Sequence, residues 1–249
     1  MKYTDINSKK IDSWVENGWI WSKSVSHEEY EDAKKGKYNI KLTPVKYVPK
    51  DWIGDVKGKK VLGLASGGAQ QMPIFNALGA ICTVLDYSEK QLEREREVQQ
   101  REGYDIEIIK YDMSKPLPFE DETFDMIFHP VSNCYVEEVK PIFKECYRIL
   151  KKKGRLLSGL DIGINYAFDL KEEKLENTLP FNPLKNKEHL RQMQEEDGGI
   201  QFSHTIEEQV NGQIEAGFIL KAIFDDTNGV GNLHEHNIAS YIATYSIKN

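Results

Sequence analysis

The sequence predicts a doubly wound α/β fold, a mainly parallel sheet of seven strands whose last strand runs antiparallel. Three observations predict it. An apolar run, Val61-Leu62-Gly63-Leu64, stops at a small-residue turn, Ala65-Ser66-Gly67-Gly68-Ala69, and a second apolar run downstream ends in Asp86. From Lys60 to Leu160 strand and helix signals alternate, the pattern of βαβ units with right-handed crossovers. The two C-terminal strand signals, near 218–224 and 238–247, are joined by a loop without a crossover helix, so they pair antiparallel.

In chain order, residues 1–55 stand apart. Trp14, Trp19 and Trp21 fall close together, and Trp52 stands just before the first strand. Ser26-His27-Glu28-Glu29 has the capping-box spacing, with Gly36 as the stop of the helix it opens. Thr43-Pro44 and Val48-Pro49 read as extended chain. This segment is expected to be a cap on a core that occupies residues 56–249.

Strands are expected near 60–65, 81–86, 105–110, 124–129 and 155–161. Helices fall between them: 70–78 closed by Gly79, 89–102 closed by Gly103, and about 136–150 before Gly154. Ser88-Glu89-Lys90-Gln91 is a second capping box, starting a helix directly after Asp86. Lys115 to Glu122 carries two prolines and three acids and reads as a surface loop. Residues of about 162–200 interrupt the rhythm and read as an insertion after the fifth strand. Thr205-Ile206-Glu207-Glu208 then opens a helix ending at Gly217.

Composition excludes several classes. The 249 residues are 39% hydrophobic and 29% charged, an ordinary globular balance. No run approaches the roughly 18 apolar residues of a membrane span, and the N-terminus lacks the apolar core of a secretory signal. Cys82, Cys134 and Cys146 have no C-x-x-C spacing and are odd in number, which fits a reducing cytoplasm. The net charge of -7 weighs against nucleic acid as a partner. His204, His234 and His236 have no metal spacing and read as surface-loop residues, so no metal is expected, and the acids Glu172-Glu173 and Glu195-Glu196-Asp197 read as a solvated helix face.

The turn after the first strand narrows the ligand. A dinucleotide fingerprint places Gly at its first, third and sixth positions, where this chain has Ala65, Gly67 and Gln70; no P-loop Gly-Lys-Ser/Thr is present. What remains is a small-residue turn with Asp86 placed 21 residues past Ala65, able to bond ribose hydroxyls. Tyr111-Asp112-Met113 ends the third strand; a carboxylate there can accept from an adenine amino group while Met113 packs on the ring. That set binds adenosine without a diphosphate.

Four blocks in order then resemble class I S-adenosylmethionine (SAM)-dependent methyltransferases of the small-molecule, type 11-like group, over about residues 57–160. They are V-L-G-L-A-S-G-G-A, V-L-D-Y-S, Y-D-M-S-K-P-L-P-F-E-D-E-T-F-D-M-I-F-H-P and E-C-Y-R-I-L-K-K-K-G-R-L-L. The third carries Asp112, Leu117-Pro118-Phe119 and Phe124-Asp125, a close match to the family's D-x-x-x-L-P-F-x-x-x-x-F-D with one more residue between Asp112 and Leu117. The fourth matches R-x-L-K-P-G-G through Arg148-Ile149-Leu150-Lys151 and Gly154. The resemblance implies a Rossmann-like fold, SAM as methyl donor, and donor contacts from Ala65, Ser66, Gly67, Gly68, Gln70, Gln71, Asp86, Tyr87, Ser88, Gln91, Asp112, Met113, His129 and Pro130. The first block departs from D/E-x-G-x-G-x-G: Gly63 replaces the acid, and Ala65 and Ala69 replace glycines. Gln70 and Gln71 are candidates to supply the missing polar contacts.

Methyl transfer requires alignment of a nucleophile and exclusion of water, and a general base only when that nucleophile must lose a proton. His129, after the fourth strand, is the candidate positioning residue or base; its structural alternative is a bond to the N-terminal segment. Trp21, His27, Asn133 and Tyr135 are candidate acceptor contacts. Against them stand plain packing for the tryptophans, solvation for His27 and helix capping for Asn133. The expected partner is a small-molecule methyl acceptor, with neither nucleic acid nor membrane, for a monomer or homodimer. Two other functions remain open at this point: a non-catalytic SAM- or nucleoside-binding module, and a nicotinamide-dependent reductase.

Overall fold

The computed structural model describes residues 2–249. Its sheet has the strand order β3-β2-β1-β4-β5-β7-β6, with β1 Lys60–Leu64, β2 Ile81–Asp86, β3 Ile106–Lys110, β4 Phe124–His129, β5 Leu150–Asp161, β6 Phe218–Asp226 and β7 Tyr241–Lys248. Strands β1 to β5 pair in parallel, and β7 runs antiparallel to both of its neighbours, β5 and β6. The order reverses at β1/β4, the switch point where open α/β sheets bind ligands at their carboxyl edge.

The central strands are mainly apolar because both faces are covered. In β1 the residues alternate between two cores. Val61 joins Met72, Phe75 and Phe128 on one face, and Leu62 and Leu64 join Ile127, Phe143 and Cys146 on the other. Phe75 meets Phe128 edge to face at 5.2 Å, an arrangement favoured by the ring quadrupoles.

Among the described residues nine α-helices surround the sheet: α1 Tyr3–Glu16, α2 His27–Lys34, α3 Lys50–Ile53, α4 Met72–Ala77, α5 Glu89–Glu102, α6 Lys140–Ile149, α7 Lys187–Glu195, α8 Gly212–Glu215 and α9 Gly231–Glu235. The box at Ser26 forms in full, Ser26 Oγ accepting from the Glu29 N–H and Glu29 accepting from the Ser26 N–H. At Ser88 only half forms. Ser88 Oγ accepts the Gln91 N–H, but the Ser88 N–H goes to Asp86 Oδ1, leaving Gln91 no return bond.

Several expected boundaries move. The helix expected at 70–78 is α4, begun two residues later with Pro73 in its first turn, and that expected at 136–150 is α6, begun at Lys140 with Pro141 in its first turn; proline suits those positions because it has no N–H to leave unpaired. β5 starts at Leu150, and the turn expected before Gly154 survives as an irregularity within it, with Lys153 at φ 62. β7 starts at Tyr241, later than expected, because Ile238 closes the turn after α9 through its N–H to Leu233. The helix expected from Thr205 is a π turn, Glu207–Asn211, followed by α8.

Helix α1 is an element the sequence reading did not anticipate. It lies against the start of α5: Asp12 Oδ1 accepts from Ser88 Oγ at 2.6 Å and from the Lys90 N–H at 3.0 Å, and Asp5 Oδ1 accepts from the Tyr87 hydroxyl at 2.8 Å. Three polar contacts thus bring the N-terminal segment over the tip of β2.

Candidate active site

The turn between β1 and α4 is shaped by close approach. Ala65 (φ 48) and Ala69 (φ 56) adopt the left-handed conformation that glycine takes freely, at a cost of roughly 1–2 kcal/mol each for an L-residue. Gly67 is demanded by space, since a Cβ there would stand 2.7 Å from Gln91 Cβ and 3.0 Å from Asp86 Oδ2. That tightness lets Asp86 reach across: its Oδ2 accepts the Gly67 N–H at 3.0 Å while Oδ1 accepts the Ser88 N–H at 2.9 Å. Burial is the largest influence on the Asp86 carboxyl and raises its pKa against those two donors.

Gly63, where the resembled family pattern has an acid, has its side-chain space filled by Met72, whose Sδ would lie 2.8 Å from an added Cβ. Of the two expected substitutes, Gln71 accepts from Ser66 Oγ at 3.1 Å through Oε1, and Gln70 turns outward, its Nε2 donating to the Ile20 and Lys23 carbonyls. Gln70 therefore ties the N-terminal segment to the turn. Gln91 donates to the Trp21 carbonyl at 3.4 Å, and its Oε1 is buried without a partner.

A residue the sequence reading missed holds the turn from beneath. Glu95 of α5 is 0% exposed, and its Oε1 accepts the Ala69 N–H at 2.7 Å. Burial pushes its pKa up to about 8, so the side chain is a neutral acid at neutral pH. A signal was available: Leu92, Glu95 and Val98 recur every three residues, which puts the acid on the buried face of α5.

A cavity of about 1330 Å³ opens along the carboxyl edge of the sheet. It is lined by Ala65, Ser66, Gly67, Gln70, Gln71, Asp86, Tyr87, Ser88, Gln91, Asp112, Met113 and Pro130 among the expected donor contacts, and by Trp21 and Tyr135 among the expected acceptor contacts. Gly68 and His129 do not line it. Asp112 also does what its structural alternative described, accepting from the Ser114 N–H at 3.0 Å and the Ser114 hydroxyl at 2.6 Å through Oδ1.

Three of the singled-out side chains are engaged elsewhere. The His129 ring is buried, with Nδ1 against the Leu64 carbonyl at 2.9 Å, and burial lowers its pKa; it braces β1 against β4. His27 lies on the surface, its Nδ1 2.8 Å from Glu102 Oε2, and does not border the cavity. His27, Glu31 and Glu102 bring ligand-type atoms within 4.8 Å of one another, but Lys34 occupies Glu31 and Arg101 occupies Glu102. Asn133 is buried behind the cavity. Its amide donates to the Asp161 carbonyl at 3.1 Å and its Oδ1 accepts the Asp161 N–H at 3.0 Å.

A nucleoside fits this construction. Asp86 keeps acceptor capacity beyond the Gly67 and Ser88 bonds, the Gly67 cradle leaves no room for a side chain, and the cavity runs on to Asp112 and Met113. Asp86 would hold ribose hydroxyls, Asp112 and Met113 an adenine, and the turn with Ser66 and Gln71 the remainder.

A sheet of this order with an acid-ended second strand and a small-residue first turn defines a class I methyltransferase, the class that uses SAM as its methyl donor. Comparison with known proteins agrees. The methyltransferase domain model matches residues 62–158. The chain is 42% identical to an uncharacterized methyltransferase, YbaJ, of Bacillus subtilis, over 97% of each chain. It is 27% identical to the cycloartenol-C-24-methyltransferase of Arabidopsis thaliana, over 67% of this chain and 50% of that one. Among solved structures, a SAM-dependent methyltransferase from Mesorhizobium loti superposes with a TM-score of 0.63 at 18% identity, covering 80% of this chain and 95% of that one. The chain belongs to the methyltransferase domain family.

Proposed function

We propose that the protein transfers the methyl group of SAM to a small-molecule acceptor held in the same cavity. The observation that carries this reading is the continuity of that cavity. Its lining includes the Ala65–Gly67 turn, Asp86 and Asp112 together with Tyr135, Asp161 and Tyr166, so one space holds both a nucleoside-type site and room for an acceptor. SAM supplies an electrophilic methyl carbon when bound. The chain contributes alignment and dryness: β1, β2 and β4 present the donor contacts, and Trp19 and Trp21 line the cavity from the N-terminal side.

In this reading residues 1–55 and the segment of about 162–200 are cover rather than independent domains. Tyr38, Leu42 and Thr43 come to the cavity from the first, Asn165 and Tyr166 from the second. His129 is a brace and not a base, because its ring is buried and bonded to a backbone carbonyl. The free, buried state of Cys82, Cys134 and Cys146 supports a reducing, cytoplasmic location. No helix among the described residues is long and apolar enough to cross a membrane.

The test is calorimetric binding of SAM and of S-adenosylhomocysteine (SAH), followed by transfer of labelled methyl from SAM across an acceptor library. Micromolar binding with turnover of at least one small acceptor supports the reading. Tight SAH binding without turnover of any acceptor contradicts the transferase, and NADH binding in its place contradicts the donor.

A further inference from the structure

Asp161 ends β5 at the carboxyl edge of the sheet and lines the cavity, yet its side chain is only 4% exposed. The carboxylate accepts the Gly163 N–H at 2.7 Å and a neutral hydrogen bond from the Asn165 side chain, and no lysine, arginine or histidine among the described residues pairs with it. A carboxylate so deeply removed from water is costly unless something charged meets it.

The surroundings hold it in place. The Asp161 N–H and carbonyl are clamped together by the Asn133 side chain, and Gln209 donates to the same carbonyl at 2.7 Å. Gln209 sits in the π turn Glu207–Asn211, a distortion common at functional sites. His204 completes the support through the Asn133 and Val136 carbonyls. A buried polar network therefore fixes the direction of one acid.

Aromatic side chains line the same cavity. Tyr241 stands directly opposite Asp161 in the β5/β7 pairing, where facing side chains are neighbours. Tyr135 and Tyr166 line the same space, and the Asp161 charge raises the pKa of all three phenols, after burial itself. No arginine lines the cavity. Its lysines (Lys23, Lys37, Lys41 and Lys50) all come from the N-terminal segment, with Lys41 tied to the Pro44 carbonyl and Lys50 to the Gly36 carbonyl. The lining around Asp161 is thus acidic and aromatic, a poor host for a phosphate or carboxylate and a good one for an organic cation.

We propose that Asp161, set among Tyr135, Tyr166 and Tyr241, is the receptor for a positively charged amino group of the methyl acceptor. The missing counter-ion of Asp161 is carried by the ligand. This rests on the methyltransferase reading for the donor half of the cavity and adds the acceptor's chemical class. Burial raises the Asp161 pKa to about 7, with Cys134, Tyr135, Tyr166 and Tyr241 as the titratable groups around it. The assay is therefore run at pH 8, where both the carboxylate and an aliphatic ammonium are charged.

The experiment measures binding of 2-phenylethylamine, 2-phenylethanol and phenylacetate to the whole protein saturated with SAH, by ligand-observed NMR. In the wild type the amine is expected to bind about tenfold more tightly than the alcohol, with the anion weakest. Asp161→Asn reduces the amine to the level of the alcohol and leaves SAH affinity within about twofold. Tyr241→Leu, which keeps the carboxyl, weakens the amine by about three- to tenfold and not the alcohol. Equal binding of amine and alcohol in the wild type, or an amine preference that survives Asp161→Asn, overturns the proposal. So does a tenfold loss of SAH affinity in Asp161→Asn, which would assign the carboxyl to the donor. Absence of SAH binding to the wild type would contradict the donor reading itself.

Discussion

Asp86 and Gly67 are joined across the active-site turn: the Asp86 carboxylate accepts the Gly67 N–H at 3.0 Å. The acid that ends β2 therefore does two things, shaping the turn after β1 and facing the cavity with its remaining lone pairs. The expected effects below follow from this contact and from the buried groups around it.

Gly67→Ala places a methyl 2.7 Å from Gln91 Cβ and 3.0 Å from Asp86 Oδ2. It is expected to cost about 1–3 kcal/mol of stability and to weaken SAH binding by about tenfold or more. Thermal melting and calorimetry on the same sample read both effects. Unchanged SAH affinity would show that the cradle is not part of the donor site.

Glu95 gives a pH signature. Its folded pKa, about 8, lies above the ordinary value of 4.5 that it has in the unfolded chain. The folded state then keeps a proton that the unfolded chain releases, so this contribution is complete below pH 4.5 and is lost as pH rises toward 8. Glu95→Gln retains an acceptor for the Ala69 N–H and carries no charge. It should be more stable than wild type at pH 8, by on the order of 1–3 kcal/mol, with the difference vanishing near pH 5. Urea unfolding at the two pH values measures it, and a constant difference would refute the neutral-acid assignment.

Asn133→Ala removes both side-chain bonds to the Asp161 peptide inside the protein. Leaving buried N–H and C=O groups without that partner is expected to cost about 2–4 kcal/mol, seen as a lower urea midpoint. SAH affinity should change little, because Asn133 does not line the cavity.

How much of this was legible in the sequence follows from range. The parallel strands, the turn and Asp86 were readable because each depends on neighbours in the chain: an apolar run, small residues and a capping serine. Tyr87 and Asp112 came from the sequence blocks and Gln91 from the capping box at Ser88, and all three border the cavity. What escaped depends on contacts distant in sequence. Helix α1 has a weakly apolar face, and its place over β2 rests on Asp12 meeting Ser88, 76 positions away. His129 stands where a site residue would, but only the fold shows its ring turned to Leu64. Asp161 ends a strand just as Asp86 does and offered the same signal; its companion Tyr241 lies in β7, which no local pattern brings beside it.

The central claim is that Asp86 holds the nucleoside part of SAM, and calorimetric titration of SAH into wild type and Asp86→Ala tests it most directly. The account predicts micromolar binding by the wild type and a loss of about 10- to 100-fold in the variant, equivalent to about 1.4–2.8 kcal/mol, with the variant still folded by circular dichroism. Equal affinity in the two proteins, or wild-type binding of NADH in preference to SAH, would contradict it.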